Sequence, residues 1–290
     1  MTLKIKIGTR ASPLAVAQAE IISDGIMRRY RDADISIIKI KTSGDRNLSP
    51  FSSDPSGIKG MFTLELEQAL LGREIDLAVH SLKDLPANVN EALPIVAYSR
   101  RADPRDALIV RGEGFGFRGV IGSSSLRRRL QLERIFPDAK IIPVRGNVNT
   151  RLRKLDAGEF SGLVLAVAGL ERLGLSERVS KIFEVDEVMP APGQGILACQ
   201  GRGDEDYFYL DAVNDEESKL CAKAERSFAR ALNAGCNVPV GAYARVDGGK
   251  IFLRGLYIDE RTGKFFSGSA SGNLNEAETI GETLAKEIFR

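Results

Sequence analysis

A single histidine, three cysteines and no long apolar run close off several chemistries to this 290-residue chain. With only His80 available, a Ser-His-Asp triad or a histidine-rich metal centre has little to work with. Cys199, Cys221 and Cys236 are odd in number, widely spaced and without a C-x-x-C pair, which argues against both a disulfide framework and a zinc site. No metal is expected, and reduced thiols are the default. Charge of one sign is also lacking: Lys+Arg 41 against Asp+Glu 39 leaves a net charge of +2, so no global field draws the chain to nucleic acid or to an anionic membrane. The start, Met1 to Gly8, has no apolar core of a signal peptide, and no stretch approaches the roughly 18 apolar residues of a spanning helix. The chain therefore reads as soluble and cytoplasmic. Chemistry falls to carboxylates, lysines, arginines or a thiol.

What is present is an alternation of β-branched runs with helical patterns, as in a largely parallel sheet covered by helices. Strands are expected at Leu3–Ile7, Ile35–Ile40 and Ile75–Val79, with helices at Leu14–Arg29 and Phe62–Leu71. A second series follows: strands at Val120–Gly122, Lys140–Val144 and Gly162–Val167, helices at Leu126–Phe136 and Asn149–Ala157. Three landmarks recur in order. Ile7-Gly8-Thr9 matches Ile121-Gly122-Ser123, Ile37 to Lys41 matches Ile141 to Arg145, and Leu77 to Leu85 matches Leu165 to Leu173. Two similar α/β domains facing one cleft are expected. Ser43–Gly60, rich in Ser, Gly, Pro and Asp, reads as a mobile loop and a candidate lid. Arg101–Pro104 and Met189–Gly195 read as hinges or crossovers. The expected division is 1–98 with 196–215 as domain one, 101–190 as domain two, and 216–290 as a small α+β third domain. That last part carries a helix from Glu216 to about Leu232, strands at Gly241–Val246, Lys250–Ile258 and Lys264–Ser269, and a helix from Glu276.

Gly114 to Gly119 spells G-x-G-x-x-G, but Val120-Ile121-Gly122 after it reads as a strand, so a dinucleotide fingerprint is excluded by context. Gly122-Ser123-Ser124-Ser125-Leu126-Arg127-Arg128-Arg129 says more. Hydroxyls at a strand end, a helix N-terminus and arginine forks together suit an anion, although a plain Ser N-cap before a solvated basic face reads equally well. Arg10, Arg145, Arg151 and Arg172 also follow strands, where ligands of open α/β sheets collect. Lys83-Asp84 lies just past the run Leu77–Val79. An acid there could handle protons or stabilise a cation, and a surface ion pair at a turn is the alternative. For His80 a hydrogen-bonded structural role is favoured. Cys199 and Cys221 read as buried, whereas Cys236 lies on a loop, Gly235-Cys236-Asn237-Val238-Pro239, where a thiol could be exposed and nucleophilic.

Six motifs in order, Gly8 to Ala15, His80 to Pro86, Gly122 to Arg128, Arg145 to Leu152, Gly193-Gln194-Gly195 and Gly235 to Pro239, give a sequence that resembles the porphobilinogen deaminase family. The resemblance implies two α/β domains of the type also seen in periplasmic binding proteins, plus a third domain bearing a covalent cofactor. It implies a transferase that condenses four porphobilinogen molecules head to tail into hydroxymethylbilane, releasing ammonia, on a dipyrromethane primer joined by a thioether to Cys236. Every pyrrole carries an acetate and a propionate, and arginine forks suit such a ligand. By the same resemblance, Lys83, Ser125, Arg127 and Arg128 would hold the cofactor. Arg10, Ser12, Lys59, Arg145, Arg151 and Arg172 would hold substrate or chain carboxylates, and Asp84 would be the catalytic acid beside the cationic azafulvene left by ammonia. The sequence departs from the family pattern at Pro55, where members often carry a lysine. A binding or sensor protein is the competing reading, a nucleic-acid binder the third. A monomer acting on a small molecule is expected.

Overall fold

The computed structural model describes residues 3–41, 63–112, 119–233 and 238–289. Its contacts group the chain into two compact units, Met1–Arg101 with Ile196–Leu220, and Ala102–Gly195 with Cys221–Arg290. The expected lid at Ser43–Gly60 lies wholly outside the described residues.

In the first unit β1 (Lys4–Arg10) leads into α1 (Pro13–Arg29), then β2 (Asp34–Ile40), α2 (Leu64–Leu71), β3 (Leu77–Ser81) and β4 (Ile95–Tyr98). Ser12 caps α1, its hydroxyl accepting from Ala15 N at 3.3 Å, and Pro13 sits where its missing N–H costs nothing. Ala15, Gln18, Ala19, Ile22 and Ile26 recur at helical spacing and form the buried face. Ile22 and Ile26 join Ile5, Ile7, Leu77 and Val79 in one core, while Leu66, Leu70, Ile75, Ala78 and Leu93 form a second.

The second unit runs β5 (Asp106–Val110), β6 (Val120–Gly122), α3 (Leu126–Ile135), β7 (Lys140–Ile142), α4 (Val148–Asp156), β8 (Gly162–Ala166), α5 (Val167–Glu171) and β9 (Lys181–Ile182). Successive residues of β5 face opposite ways: Ala107 and Ile109 enter one core with Leu163 and Leu165, and Leu108 enters another with Ile121 and Val164. The chain then returns as β10 (Leu197–Gln200) to the first unit, whose sheet order is β2-β1-β3-β10-β4. The second sheet has order β7-β6-β8-β5-β9.

These orders are the same topology twice. In each, two parallel pairs surround the first strand of the repeat, and an antiparallel strand from a distant part of the chain follows. The first two landmarks match in register, since Ile7 pairs with Ile37 and Ile121 with Ile141. The third does not. Leu77 pairs with Ile7 but Gly162, not Leu165, pairs with Ile121, so that sequence match is three residues out of structural step. Apolar strands resemble one another in composition, whereas pairing across the sheet fixes register.

Helix α6 (Glu216–Ala231), the meander β11 (Val240–Asp247), β12 (Lys250–Ile258) and β13 (Phe265–Asn273), and α7 (Ala277–Glu287) complete the chain. Asp247 faces Lys250 across a tight turn whose Gly248 and Gly249 have φ of 55° and 74°, left-handed values that glycine adopts without strain. The architecture is thus α/β twice over with a small α+β segment at the end. Contacts group Cys221–Arg290 of it with the second unit and the first turn of α6, up to Leu220, with the first.

Candidate functional site

The end of β3 carries a first group of candidate residues. Beyond Ser81 the chain tightens into a 3-10 turn, Leu82–Asp84, with Leu82 fully buried as its anchor and Asp84 exposed at its end. A pocket in this unit is lined by Arg10, Ser12, Gln18, Thr63, His80, Ser81 and Asp84, among others. Two of its members were not named from the motifs. Gln18 on α1 donates to Ser81 Oγ at 2.7 Å, and the Ser81 hydroxyl is 3.1 Å from Gln18 Oε1, so the two side chains tie α1 to the end of β3. Gln18 is a polar residue at a buried helical position, the signal that could have found it.

Arg10 ends β1, and Ser12 is both an N-cap and part of the pocket wall. Lys83 is half-buried beside Asp84, and Lys59 lies outside the described residues. His80 is buried in the pocket wall, and burial, with the nearby Arg10 charge, pushes its pKa down to about 4 against an opposing hydrogen bond with Gln200. The imidazole is therefore neutral at ordinary pH, and its Nε2 is buried without a hydrogen-bond partner among the described residues.

The second unit holds the arginines. Ser123 N donates to Ile142 O at 2.8 Å, Ser124 Oγ sits 2.5 Å from Val144 O, and Ser125 caps α3 by accepting from Arg128 N at 3.4 Å. The seryl run thus bends the chain from β6 into the helix, as a Ser cap should. Of the basic run that follows, Arg127 and Arg128 are withdrawn from solvent, whereas Arg129 is partly exposed. Arg127 and Arg128 are 5% and 7% exposed, and both reach Asp106, which is fully buried at the start of β5. Arg127 Nη2 lies 2.9 Å from Oδ2 and Arg128 Nη2 2.6 Å from Oδ1. Gln194 Nε2 donates to the same Oδ1 at 2.8 Å, and Arg127 Nη1 donates to Met189 O at 2.5 Å. Burial pulls the Arg127 pKa down, with Asp106 opposing and Arg128 reinforcing.

Asp106 escaped the motif reading. Its signal was an acid opening the apolar run Ala107–Val110, a charge that must find partners wherever the run is buried.

Arg145 follows β7, and Arg151 on α4 turns its Nε back to Gly146 O at 2.8 Å. Gly146 has φ of 109°, which only glycine adopts readily, so this turn fixes where both arginines start. Arg172 donates to Gly195 O at 2.6 Å, and burial lowers its pKa to about 10 against the attraction of Glu171. Cys199 is fully buried with its thiol pushed up to about 12 by burial, and Cys221 is buried too. Cys236 lies outside the described residues.

Comparison with known proteins places these residues in a family. Residues 5–209 match the family model described as porphobilinogen deaminase, dipyromethane cofactor binding domain, and residues 219–290 match porphobilinogen deaminase, C-terminal domain. The chain is 47% identical to porphobilinogen deaminase of Ruminiclostridium josui over 98% of this chain and 97% of that one. It is 46% identical to porphobilinogen deaminase of Acetivibrio thermocellus over 99% of both. Among solved structures it is similar to an ABC transporter from Parabacteroides distasonis at a TM-score of 0.43 and 12% identity, over 80% of this chain and 76% of that one. Both family models describe parts of one enzyme, and the relatives align with the chain almost from end to end: the chain belongs to the porphobilinogen deaminase family.

Proposed function

We propose that this member of the porphobilinogen deaminase family divides its work between Asp84, which serves the reacting groups, and the cationic start of α3, which holds carboxylates. The family reaction deaminates porphobilinogen and condenses four molecules head to tail into hydroxymethylbilane. The dipyrromethane supplies, when bound, the pyrrole α-carbon from which the chain grows.

One observation carries the assignment of α3. Among the described residues, two buried guanidiniums share the single carboxylate of Asp106, at 2.9 and 2.6 Å. An unbalanced buried cation costs several kcal/mol, so the cluster is one negative charge short, and the helix N-terminus adds to the deficit. Arg128 Nε and Ser123 Oγ are buried without hydrogen-bond partners among the described residues, which leaves donors unspent beside that surplus. A ligand bearing carboxylates fits. A dipyrromethane carries four, and Ser125, Arg127, Arg128 and Lys83 are the residues assigned to hold it.

Arg10, Ser12, Lys59, Arg145, Arg151 and Arg172 are assigned to the acetates and propionates of substrate and growing chain. Asp84 is assigned to the positive charge that develops as ammonia leaves and to the proton lost from the attacking α-carbon. Its exposure supports that task, because a carboxylate not already buried among cations keeps its charge for a ligand. Cys236 is assigned as the point of thioether attachment. Neither Cys199 nor Cys221 competes, since a buried thiol is a poor source of thiolate. We further read the protein as a cytoplasmic monomer, with three domains divided near residues 100, 195 and 216, acting on small molecules and not on nucleic acid; no helix among the described residues is long and apolar enough to cross a membrane.

Incubating the purified protein with porphobilinogen while following ammonia and bilane tests the reaction, and a folded protein yielding neither would refute it. Intact-mass measurement and peptide mapping test the attachment, with the added mass expected on Cys236. An adduct that persists in Cys236→Ser would reassign it.

A further inference from the structure

The cluster at the base of α3 contains a residue that the motif reading did not include. Asp106 is fully buried, on the first position of β5, and accepts from three side chains belonging to two other segments. Arg127 and Arg128 come from the first turn of α3. Gln194 comes from the Pro192-Gly193-Gln194-Gly195 segment that precedes the return strand, and its amide is also 2.6 Å from Pro104 O.

A guanidinium is planar, so fixing one terminal nitrogen and the stem fixes which edge remains for a ligand. Asp106 does this twice, one oxygen per arginine. Arg127 has its other terminal nitrogen on Met189 O, a carbonyl that Gln131 also reaches at 3.2 Å, while Met189 N donates to Gln131 Oε1 at 2.8 Å. Arg128 has only a long contact, 3.3 Å, from Nη1 to Val164 O, and its Nε has no hydrogen-bond partner among the described residues. The carboxylate therefore holds Arg128 by one corner. The rest of that fork is left to something else.

Without Asp106 two like charges would face each other in a buried setting, and each long side chain would regain rotamers that the pairing now excludes. We propose that Asp106 is a positioning residue for cofactor capture: it aims the Arg127 and Arg128 forks and holds their charge in place, so that the cofactor carboxylates meet donors already set. This rests on the reading that those arginines hold the cofactor.

The test measures capture itself. The full chain is produced in a cell that makes no porphobilinogen, then mixed with porphobilinogen, and the rate at which the dipyrromethane mass increment appears is followed by intact-mass spectrometry. Arg128→Gln tests the underlying reading: loading at the unaltered rate would remove the arginine from the cofactor site. Given a slow Arg128→Gln, Asp106→Asn is expected to load about tenfold or more slowly, the scale expected when a binding group is displaced by a fraction of an ångström. Adding Asp106→Asn to Arg128→Gln should slow loading further by less than Asp106→Asn does alone, because only the Arg127 fork is then left for Asp106 to aim. Loading of a folded Asp106→Asn at the rate of the unaltered chain overturns the proposal, and so does full additivity of the two substitutions. If Asp106→Asn gives no cooperative melt, Asp106→Glu decides the matter. It keeps the charge but displaces the carboxylate by one methylene, and is expected to melt cooperatively yet load at least about threefold slower. Unaltered loading by Asp106→Glu would show that the carboxylate's position does not matter.

Discussion

His80 offers a sharp test because it is the chain's one histidine, so its imidazole resonances in a proton spectrum have no competitors. It lies on β3, opposite Ala198 of β10, buried in the wall of the pocket that Asp84 also lines. Burial brings its pKa from 6.5 to about 4, with Arg10 pushing the same way. Below pH 6.5 the unfolded chain takes up a proton that the folded chain refuses until about pH 4. The unfolded state binds more protons in that window, so stability is present above pH 6.5 and is lost as the pH falls toward 4. At about 1.4 kcal/mol for each pH unit, the loss attributable to this one group is about 3 kcal/mol. Two measurements check it. The imidazole resonances of the folded protein should stay at their neutral positions from pH 7 to pH 5. The stability difference between the unaltered chain and His80→Gln, read from urea unfolding, should shrink by about 3 kcal/mol between pH 7 and pH 4 in favour of the variant. A folded protein whose histidine titrates near pH 6.5 would refute the reasoning, because the imidazole would then have to be solvated.

Asp84→Ala should fold normally, within about 0.5 kcal/mol of the unaltered chain since the residue is exposed, yet lose nearly all single-turnover ammonia release; Asp84→Glu should retain more. Circular dichroism with ammonia release checks both, and near-normal chemistry in the alanine variant would remove Asp84 from the mechanism. Arg172→Gln should mainly slow or stall chain elongation, with shorter enzyme-bound oligomers accumulating in native mass spectra. A defect confined to substrate affinity would reject that role. Gly281→Ala should cost about 2–3 kcal/mol, read as a lower melting temperature, because the new methyl would stand 2.0 Å from Ser227 Oγ and 2.3 Å from Ala224 O on the packed helix α6.

Much of the fold was legible because local chemistry and tertiary structure agree. Pro13 after Ser12, the apolar spacing of α1, and the glycine pair before Lys250 each specify their element without help from distant residues. What stayed hidden depends on distant pairing. Strands β4, β5, β9 and β10 were missed, and β5 is made a strand by β8, sixty residues away in the pairing of Asp106 with Ala166. The same pairing buries Asp106, and through it turns an apparently solvated run of arginines into an internal charge cluster. No spacing rule on α3 could show that. The motif at His80 to Pro86 does fall at the end of β3, but the Gln18–Ser81 link across to α1 appears only once β1 and β3 lie side by side.

Asp84 and Asp106 show why residue type alone could not assign roles. Asp106 has its charge spent: two guanidiniums and an amide occupy its oxygens, and nothing in that arrangement can respond when charge develops on a ligand. A group already satisfied in the ground state lowers no barrier, since only interactions that strengthen along the reaction path do so. It can, however, fix the directions of others. Asp84 has the complementary placement, at the exposed end of a short turn anchored by the buried Leu82 and followed by Pro86, with its backbone defined and its carboxylate facing solvent. On the proposed assignment, the departure of ammonia creates a positive charge that this carboxylate meets only then. The two acids differ in neighbours and not in chemistry. Neutralising Asp84 should therefore slow deamination whether or not a primer is in place, whereas neutralising Asp106 should slow primer capture and leave elongation on a primer already captured largely intact.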